Sequence, residues 1–305
     1  MSLFLQVAHE LALMKPAAFE YLQPRSLAEA IATLGRYGGE AKLLAGGQSL
    51  VPLLNFRLLR PAALIDINRV SGLDHVDWRA DAGLRIGALT RHHALEVSPI
   101  VARHFPVISA AMAHVAHLAI RNRGTIGGSL AHADPAAELA MLALLLDAEI
   151  VSESQRGSRV LPAKAFLVGT LLTALADDEM ITEVRFPPLL PGSGWDFREF
   201  AQRSGDFAIA AVGVILVMRD GRVTQARLTL MGVAETAVRA SEAEALLLGE
   251  RHRPQIVRAA AASARAGISP HSDLRASADY RRHLVGVLVE QGLAAAFTRA
   301  EWGAT

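Results

Sequence analysis

The chain has 305 residues, 51% of them hydrophobic and 20% charged, which is enough apolar length for two parts with cores of their own and too little polarity for a disordered protein. Lysine and arginine number 31 against 30 aspartates and glutamates, a net charge of +1, and no basic block is interleaved with aromatics, which excludes the footprint of a nucleic-acid binder. There is no cysteine, so disulfides, a thiol nucleophile and a cysteine-ligated iron–sulfur cluster are excluded from this chain.

In chain order, residues 1–13 (MSLFLQVAHELAL) have no positive residue before their apolar part and are broken at Gln6 and His9-Glu10. They predict a short amphipathic N-terminal extension, not an export signal or a membrane span. Phe19 to Leu22 reads as a strand, and Ser26 with Glu29 forms a capping box opening a helix to about Tyr37. Lys42 to Leu44 is a short apolar strand ending at Ala45-Gly46-Gly47, and the residues from Ser49 to Asn55 recur at helical spacing. A diglycine turn between strand and helix suits an anion, because its backbone N–H groups approach a phosphate closely and the helix N-terminus adds partial positive charge. Gln48 and Ser49 supply side-chain donors at the same place.

Leu64 to Ile67 and Leu84 to Ala88 are strands separated by a turn at Asp81-Ala82-Gly83. Thr90 is expected to cap a helix from Arg91 to Val97, and Val107 to Ala119 reads as one strongly apolar helix. The turn at Asn122-Arg123-Gly124 leads into a second glycine loop, Thr125-Ile126-Gly127-Gly128-Ser129. Asp134 and Pro135 are expected as N-cap and first position of a helix running to about Glu149. Its Leu139–Leu146 run is apolar on all sides but far too short to span a membrane, which marks a buried helix.

Beyond Glu149 come short strands at Ile150–Glu153, Arg159–Leu161 and Met180–Phe186, with an acidic turn at Asp177-Asp178-Glu179. The clearest linker is PPLLPGSG at 187–194, which divides the chain into 14–190 and 195–302. After it, strands at Trp195–Gln202, Ile209–Met218 and Val223–Gly232, the last two joined through Asp220-Gly221, precede helices at Ala240–Leu248, Arg253–Ala266 and Ala278–Arg299. The expected class is α+β, with a two-part N-terminal domain followed by a smaller domain of antiparallel strands and helices.

Two phosphate-grade loops in one domain suit a dinucleotide, yet no GxGxxG follows the first strand and no GxxxxGK[ST] occurs. Rival sites are weaker. His114 and His117 lie three apart, the spacing of a metal pair on a helix, but no third ligand stands near them, so packing is expected and no metal site is predicted. His92 and His93 are read as solvent contacts, and Arg121 and Arg123 as a solvated helix end. No Ser-His-Asp order stands out.

AGGQSLVPLLNFRL at 45–58 together with TIGGSLAHADPAAEL at 125–139 resembles the paired FAD loops of the flavoprotein (medium) subunit of molybdenum hydroxylases, the xanthine dehydrogenase and carbon monoxide dehydrogenase family. The resemblance runs from Met14-Lys15-Pro16 through Ile86–Thr90 and Gly205–Ala208 to Asp279–Arg282. It implies that Ala45, Gly46, Gly47, Gln48 and Ser49 hold one part of FAD and Thr125, Ile126, Gly127, Gly128 and Ser129 another. Glu138 matches an acidic family position near the cofactor, and otherwise serves as a first-turn charge on its helix. Ile181 matches an apolar position near the ring system, and otherwise is a strand-core residue; His132 is either a flavin contact or an ordinary loop histidine. Phe207 stands where some members carry a tyrosine, so ring stacking is implied without a hydroxyl.

The activity implied is electron transfer, with no catalytic side chain on this chain. A molybdenum-cofactor large subunit hydroxylates the substrate, an iron–sulfur small subunit relays the electrons, and FAD, which accepts electrons singly or in pairs, hands them to an external acceptor. Relatives imply a dimer of heterotrimers, and the cytoplasm is the expected location. Two other readings remain open at this level, a stand-alone FAD-dependent oxidoreductase and a flavin-free assembly protein of the same family. Neither substrate nor acceptor is legible.

Overall fold

In a computed structural model, which describes residues 15–302, two successive α+β units pack against each other through a shared hydrophobic seam. The predicted N-terminal extension lies outside the described residues.

The first unit opens with β1 (Glu20–Leu22), a helix over Leu27–Tyr37, β2 (Ala41–Leu44), a short helix Leu50–Asn55 and β3 (Ala63–Asp66). These strands form a parallel sheet in the order β1-β3-β2. Ser26 caps the first helix by accepting from the Glu29 N–H at 3.2 Å, while the Glu29 carboxylate accepts from the N–H of Arg25, one residue earlier than a standard capping box. The helix buries Ala30, Ile31 and Leu34 on the sheet and stops at left-handed Gly38.

A second, five-stranded sheet follows. Its hairpin β4 (Val76–Arg79) and β5 (Gly83–Gly87) is extended by β6 (Glu149–Ser154) and β7 (Gly157–Pro162). A small hairpin, β8 (Leu167–Gly169) and β9 (Leu172–Thr173), stands apart, and β10 (Met180–Phe186) inserts into the centre, giving the order β4-β5-β10-β6-β7. The strand over Val76–Arg79 was not expected from the sequence, because only Val76 and Trp78 alternate with charged neighbours over four residues.

Between β5 and β6 the chain is helical. The apolar run expected as one helix at Val107–Ala119 is two, Pro106–Met112 and Leu118–Arg121. Ala116 takes a positive φ of 43° between them, and the Arg121 guanidinium occupies the carbonyls of Val115 and Ala116 that a continuing helix would have used. His114 and His117 therefore do not share a helix face. After a helix over Ile126–His132, the helix expected from Asp134 to about Glu149 is shorter at both ends, Glu138–Leu145, with all eight residues buried. Asp134 caps a turn instead, accepting from the Ala136 N–H, and the Pro135 carbonyl is taken by the Gly232 N–H from the second unit, which holds this stretch out of the helix. At the other end Asp147 turns the chain with φ 51° directly into β6.

The second unit is a four-stranded antiparallel meander, β11 (Gly194–Phe200), β12 (Ala210–Arg219), β13 (Arg222–Met231) and β14 (Val238–Arg239). Asp220 and Gly221 both have positive φ at the β12–β13 turn, as a two-residue hairpin of this hand demands. One face of the meander is covered by helices Ser241–Leu247, Pro254–Ala266 and Ala278–Trp302. The other meets helix Glu138–Leu145, and Gly213 leaves room for its side chains: a Cβ there would lie 2.7 Å from Leu145 and 3.1 Å from Met141. That contact joins both units in one apolar cluster.

Candidate functional site

The two glycine loops, eighty residues apart in sequence, meet in space. A Cβ on Gly46 would fall 2.3 Å from the Arg123 carbonyl, so this glycine is demanded by backbone of the second loop pressing on the first. Gly47 has φ +73°, the left-handed turn that swings the chain from β2 into helix Leu50–Asn55. Beside them the N–H groups of Gly46, Gly47, Gln48 and Ser49 make no hydrogen bond to any of the described residues. Unpaired adjacent donors at a loop-to-helix junction form a cradle for anionic oxygens. The Gln48 side chain bends back, its amide donating to the Gly46 carbonyl at 2.9 Å, and Ser49 is exposed.

The loop is braced from below by a polar chain. Asn68 donates to the carbonyls of Leu44 and Ala45, accepts from Arg91, and donates with its own backbone to Asp66. Burial works against the Asp66 charge, but hydrogen bonds from Tyr21, Asn68 and Gln23 outweigh it and hold the carboxyl below its usual range. Arg91 also reaches the Arg123 carbonyl, so one guanidinium ties the brace to the second loop.

The second loop is built differently. Thr125 caps helix Ile126–His132 by accepting from the Gly128 N–H at 3.1 Å, and the N–H groups of Ile126, Gly127 and Ser129 go to Thr90, Ala88 and Thr125. Gly127 packs with its Cα on Ala88, where a Cβ would stand 2.7 Å away, whereas Gly128 is exposed beside Thr125. This loop therefore offers a bare surface and the Ser129 and Thr125 hydroxyls, not a row of free N–H groups. Thr90 does not cap the preceding helix, which begins after Arg91; its hydroxyl donates to the His75 carbonyl. His92 is not a solvent contact. It is 7% exposed beneath Gly124, with neither ring nitrogen hydrogen-bonded, and burial together with the nearby arginines lowers its pKa, so it is neutral. Arg121 is held internally by Glu96, leaving Arg123 as the solvent-facing one.

A cleft of about 380 Å³ opens between the Asp134–Ala136 turn, which follows the helix of the second loop, and Phe207, Gly232 and Val233 of the second unit; no residue of either glycine loop lines it. Phe207 is 51% exposed, with the Arg275 guanidinium 5.3 Å from its ring centroid. Arg281 is buried behind it, donating to the carbonyls of Ile209 and Gly232 and to Asp273. The Thr170 hydroxyl, beyond the tip of β8, bonds the Glu235 carbonyl across the opening. Nothing in the sequence near Thr170, Asp273 or Arg275 announces this cleft; only the docking of the two units assembles it.

Of the remaining residues expected at the site, His132 ends its helix half-buried, Glu138 is 8% exposed behind the Asp134–Ala136 turn, and Ile181 is 5% exposed in β10 opposite Ser152. None of the three lines the cleft. His114 packs against Phe197, and no group of three metal-ligating side chains occurs among the described residues.

Residues 17–189 match the model for the FAD binding domain in molybdopterin dehydrogenase, and residues 195–296 that for the CO dehydrogenase flavoprotein C-terminal domain. The chain belongs to the FAD-binding medium subunits of the molybdenum hydroxylase family. It is similar to the 6-hydroxypseudooxynicotine dehydrogenase complex subunit alpha of Paenarthrobacter nicotinovorans, 44% identical over 94% of this chain and 97% of that one. The carbon monoxide dehydrogenase medium chain of Hydrogenophaga pseudoflava is 38% identical over 94% and 99% of the two chains. Among solved structures, a Hydrogenophaga pseudoflava carbon monoxide dehydrogenase lacking the Mo-pyranopterin moiety aligns with TM-score 0.91 at 40% identity over 94% of this chain and 99% of that one. Quinoline 2-oxidoreductase from Pseudomonas putida 86 aligns with TM-score 0.89 at 38% identity, over 94% of this chain and 99% of that one. As a member of this family the chain is an oxidoreductase subunit whose cofactor is FAD. No helix among the described residues is long and apolar enough to cross a membrane.

Proposed function

We propose that this chain is the electron-transfer subunit of a three-subunit molybdenum hydroxylase, taking electrons from an iron–sulfur small subunit and passing them to an external acceptor while a molybdenum-cofactor large subunit selects and oxidises the substrate. The observation that carries the cofactor site is the row of unbonded N–H groups from Gly46 to Ser49 lying directly against the second glycine loop. In this reading Ala45, Gly46, Gly47, Gln48 and Ser49 hold one part of FAD, and Thr125, Ile126, Gly127, Gly128 and Ser129 line another. The cleft at Phe207 takes the ring end, with Phe207 and Arg275 at its mouth. Glu138, Ile181 and His132 act from behind these walls by shaping them. FAD supplies the conversion between paired and single electrons, and the chain's residues bind it, orient it and leave one edge open.

The domain division falls in the 187–194 linker, and the assembly is a dimer of heterotrimers in the cytoplasm. Support for partners comes from relatives named as a subunit or medium chain of larger enzymes. Those enzymes act on chemically unlike substrates, a nicotine derivative and carbon monoxide among them, while sharing this subunit's fold; that spread fits substrate choice residing in another chain. The test is the visible spectrum of the purified chain, with chromatographic identification of any flavin released by heat. Near-stoichiometric FAD is expected, with two further subunits copurifying. A colourless protein that remains colourless after coexpression with its partners overturns the reading.

A further inference from the structure

The seam between the units carries two acids that the electron-transfer reading leaves without a task. Along β11, Asp196 and Arg198 turn toward the C-terminal helix, where they meet Arg299 and Gln291. Phe197 and Glu199 alternate with them and face the seam, opposite Gly213 and Ala211 in register. Gly213 is where Met141 and Leu145 dock, and one turn earlier the same helix face presents Glu138.

Among the described residues, the cations on the elements packed around this pair are engaged elsewhere: Arg227 and Arg239 with Asp147 beyond the far end of the Glu138 helix, and Arg281 with Asp273 and the Ile209 and Gly232 carbonyls. Helix Pro106–Met112 contributes only Ser109, and the inner stretches of β12 and β13 only Thr229. His114 lies against Phe197, but burial lowers its pKa and leaves it neutral. His117 sits under Gly205, and His132 and Asp134 precede Glu138, Asp134 adding negative charge. The Glu199 Oε2 atom is buried without a hydrogen-bond partner. An ionised carboxylate oxygen so placed has neither donor nor counter-charge, whereas a neutral acid costs much less to bury. Glu138 is better placed to carry charge, because it opens a helix whose dipole and own N–H favour an anion.

Both acids stand where the cleft walls begin. The Phe200 carbonyl, next to Glu199, accepts from Ile209 N–H at 2.8 Å and closes the loop that presents Phe207. On the facing side Glu138 follows the Asp134–Ala136 turn that Gly232 grips.

We propose that Glu199 is a positioning residue held as a neutral carboxylic acid against Glu138, and that this protonated pair seats the Phe207 loop against the Asp134–Ala136 turn. The proposal rests on the cleft being part of the FAD site. Consistent with it, burial, opposed by its own N–H and aided by the Asp134 charge, raises Glu138 to about 7, and burial followed by the Glu138 charge raises Glu199 to about 8. Both values lie above the ordinary 4.5, so the folded chain binds the extra protons, and the stability they contribute is fully present below about 4.5 and is lost progressively as pH rises from there through about 7 for Glu138 and about 8 for Glu199.

The test follows the unfolding midpoint of the flavin-free full chain and, separately, its FAD dissociation constant by flavin fluorescence, between about pH 6 and pH 9.5. The native chain is expected to lose about 3 °C or more in midpoint and to bind FAD several-fold more weakly at the alkaline end. Glu199→Gln, the isostere of the neutral acid, is expected to match the FAD affinity of the native chain near pH 6 and exceed it at the alkaline end, and to unfold at a higher midpoint by a margin that widens from about pH 6 to pH 9.5. A native midpoint independent of pH, or a Glu199→Gln chain that declines in parallel with it, overturns the proposal. If the midpoints behave as expected but FAD binds at no pH, the acid pair stands and the cofactor assignment falls. Should Glu199→Gln not fold, the infrared carbonyl band of a protonated carboxylic acid in the native chain decides: present near pH 7 and lost in alkali supports the pair, absent at neutral pH overturns it.

Discussion

The two glycine loops look interchangeable in sequence, each a Gly-Gly pair with a serine within the next two residues, yet they are built to opposite plans. In the first, the backbone donors from Gly46 to Ser49 are free and the glycines serve turn geometry and close packing. In the second, the corresponding donors are already used inside the protein, by Thr90, Ala88 and Thr125. The lesson is that a diglycine does not by itself mean an anion cradle. One loop presents hydrogen bonds to a ligand; the other presents a bare, pre-stiffened surface and holds the first in place through the Gly46–Arg123 and Arg91–Arg123 contacts.

That contrast can be broken most forcefully at the contact between the loops. Gly46→Val drives a branched side chain into the Arg123 carbonyl, and Gly127→Val drives one into Ala88; each is expected to cost about 3 kcal/mol or more of stability and to abolish flavin retention, as read by denaturant unfolding and flavin content. Wild-type flavin content in both variants would remove the loops from the site. Gly128→Ala sharpens the contrast, since this glycine is exposed and its new methyl would stand 2.8 Å from the capping Thr125 hydroxyl and 3.9 Å from the Ala45 Cβ. Flavin affinity is expected to fall about tenfold, or about 1.4 kcal/mol, with about 1 kcal/mol of stability lost through the disturbed cap. An affinity equal to wild type would mean that no ligand lies over the second loop.

Asn68→Ala removes the brace under the first loop and one of the two acceptors of Arg91, and is expected to cost about 1 kcal/mol, seen as a modest rise in the FAD dissociation constant while the second loop, still held by its own N–H bonds, keeps its protection in hydrogen exchange. The smallest effect is in acid. Asp66 titrates below its ordinary 3.8, so the stability it contributes is complete above that value and is lost as pH falls through the lower folded-state one. Flavin release on acidification should therefore be steeper in the native chain than in Asp66→Asn, and identical curves would show that the brace does not depend on this charge.

Much of the fold is legible in the residue order. The strand at Met180–Phe186 and the helix pattern of the second unit emerge from alternation and periodicity, and the Asp220-Gly221 turn from its own backbone preference. The misreadings share a cause. Val107–Ala119 looks like one helix until Arg121 satisfies its interrupting carbonyls, and Asp134-Pro135 looks like a helix start until Gly232 pairs with Pro135. His92 passes for a surface residue because its burial is set by Gly124, a distant neighbour in sequence.

The sequence by itself determined the class, the family resemblance and the two loops, because turn chemistry, apolar period and the absence of cysteine are local properties that need no partner. Tertiary structure alone decided which loop keeps its donors free, where the cleft opens and why the seam buries Glu138 and the Glu199 Oε2 atom. Those depend on which distant carbonyl takes each N–H and on what the packed seam removes from water.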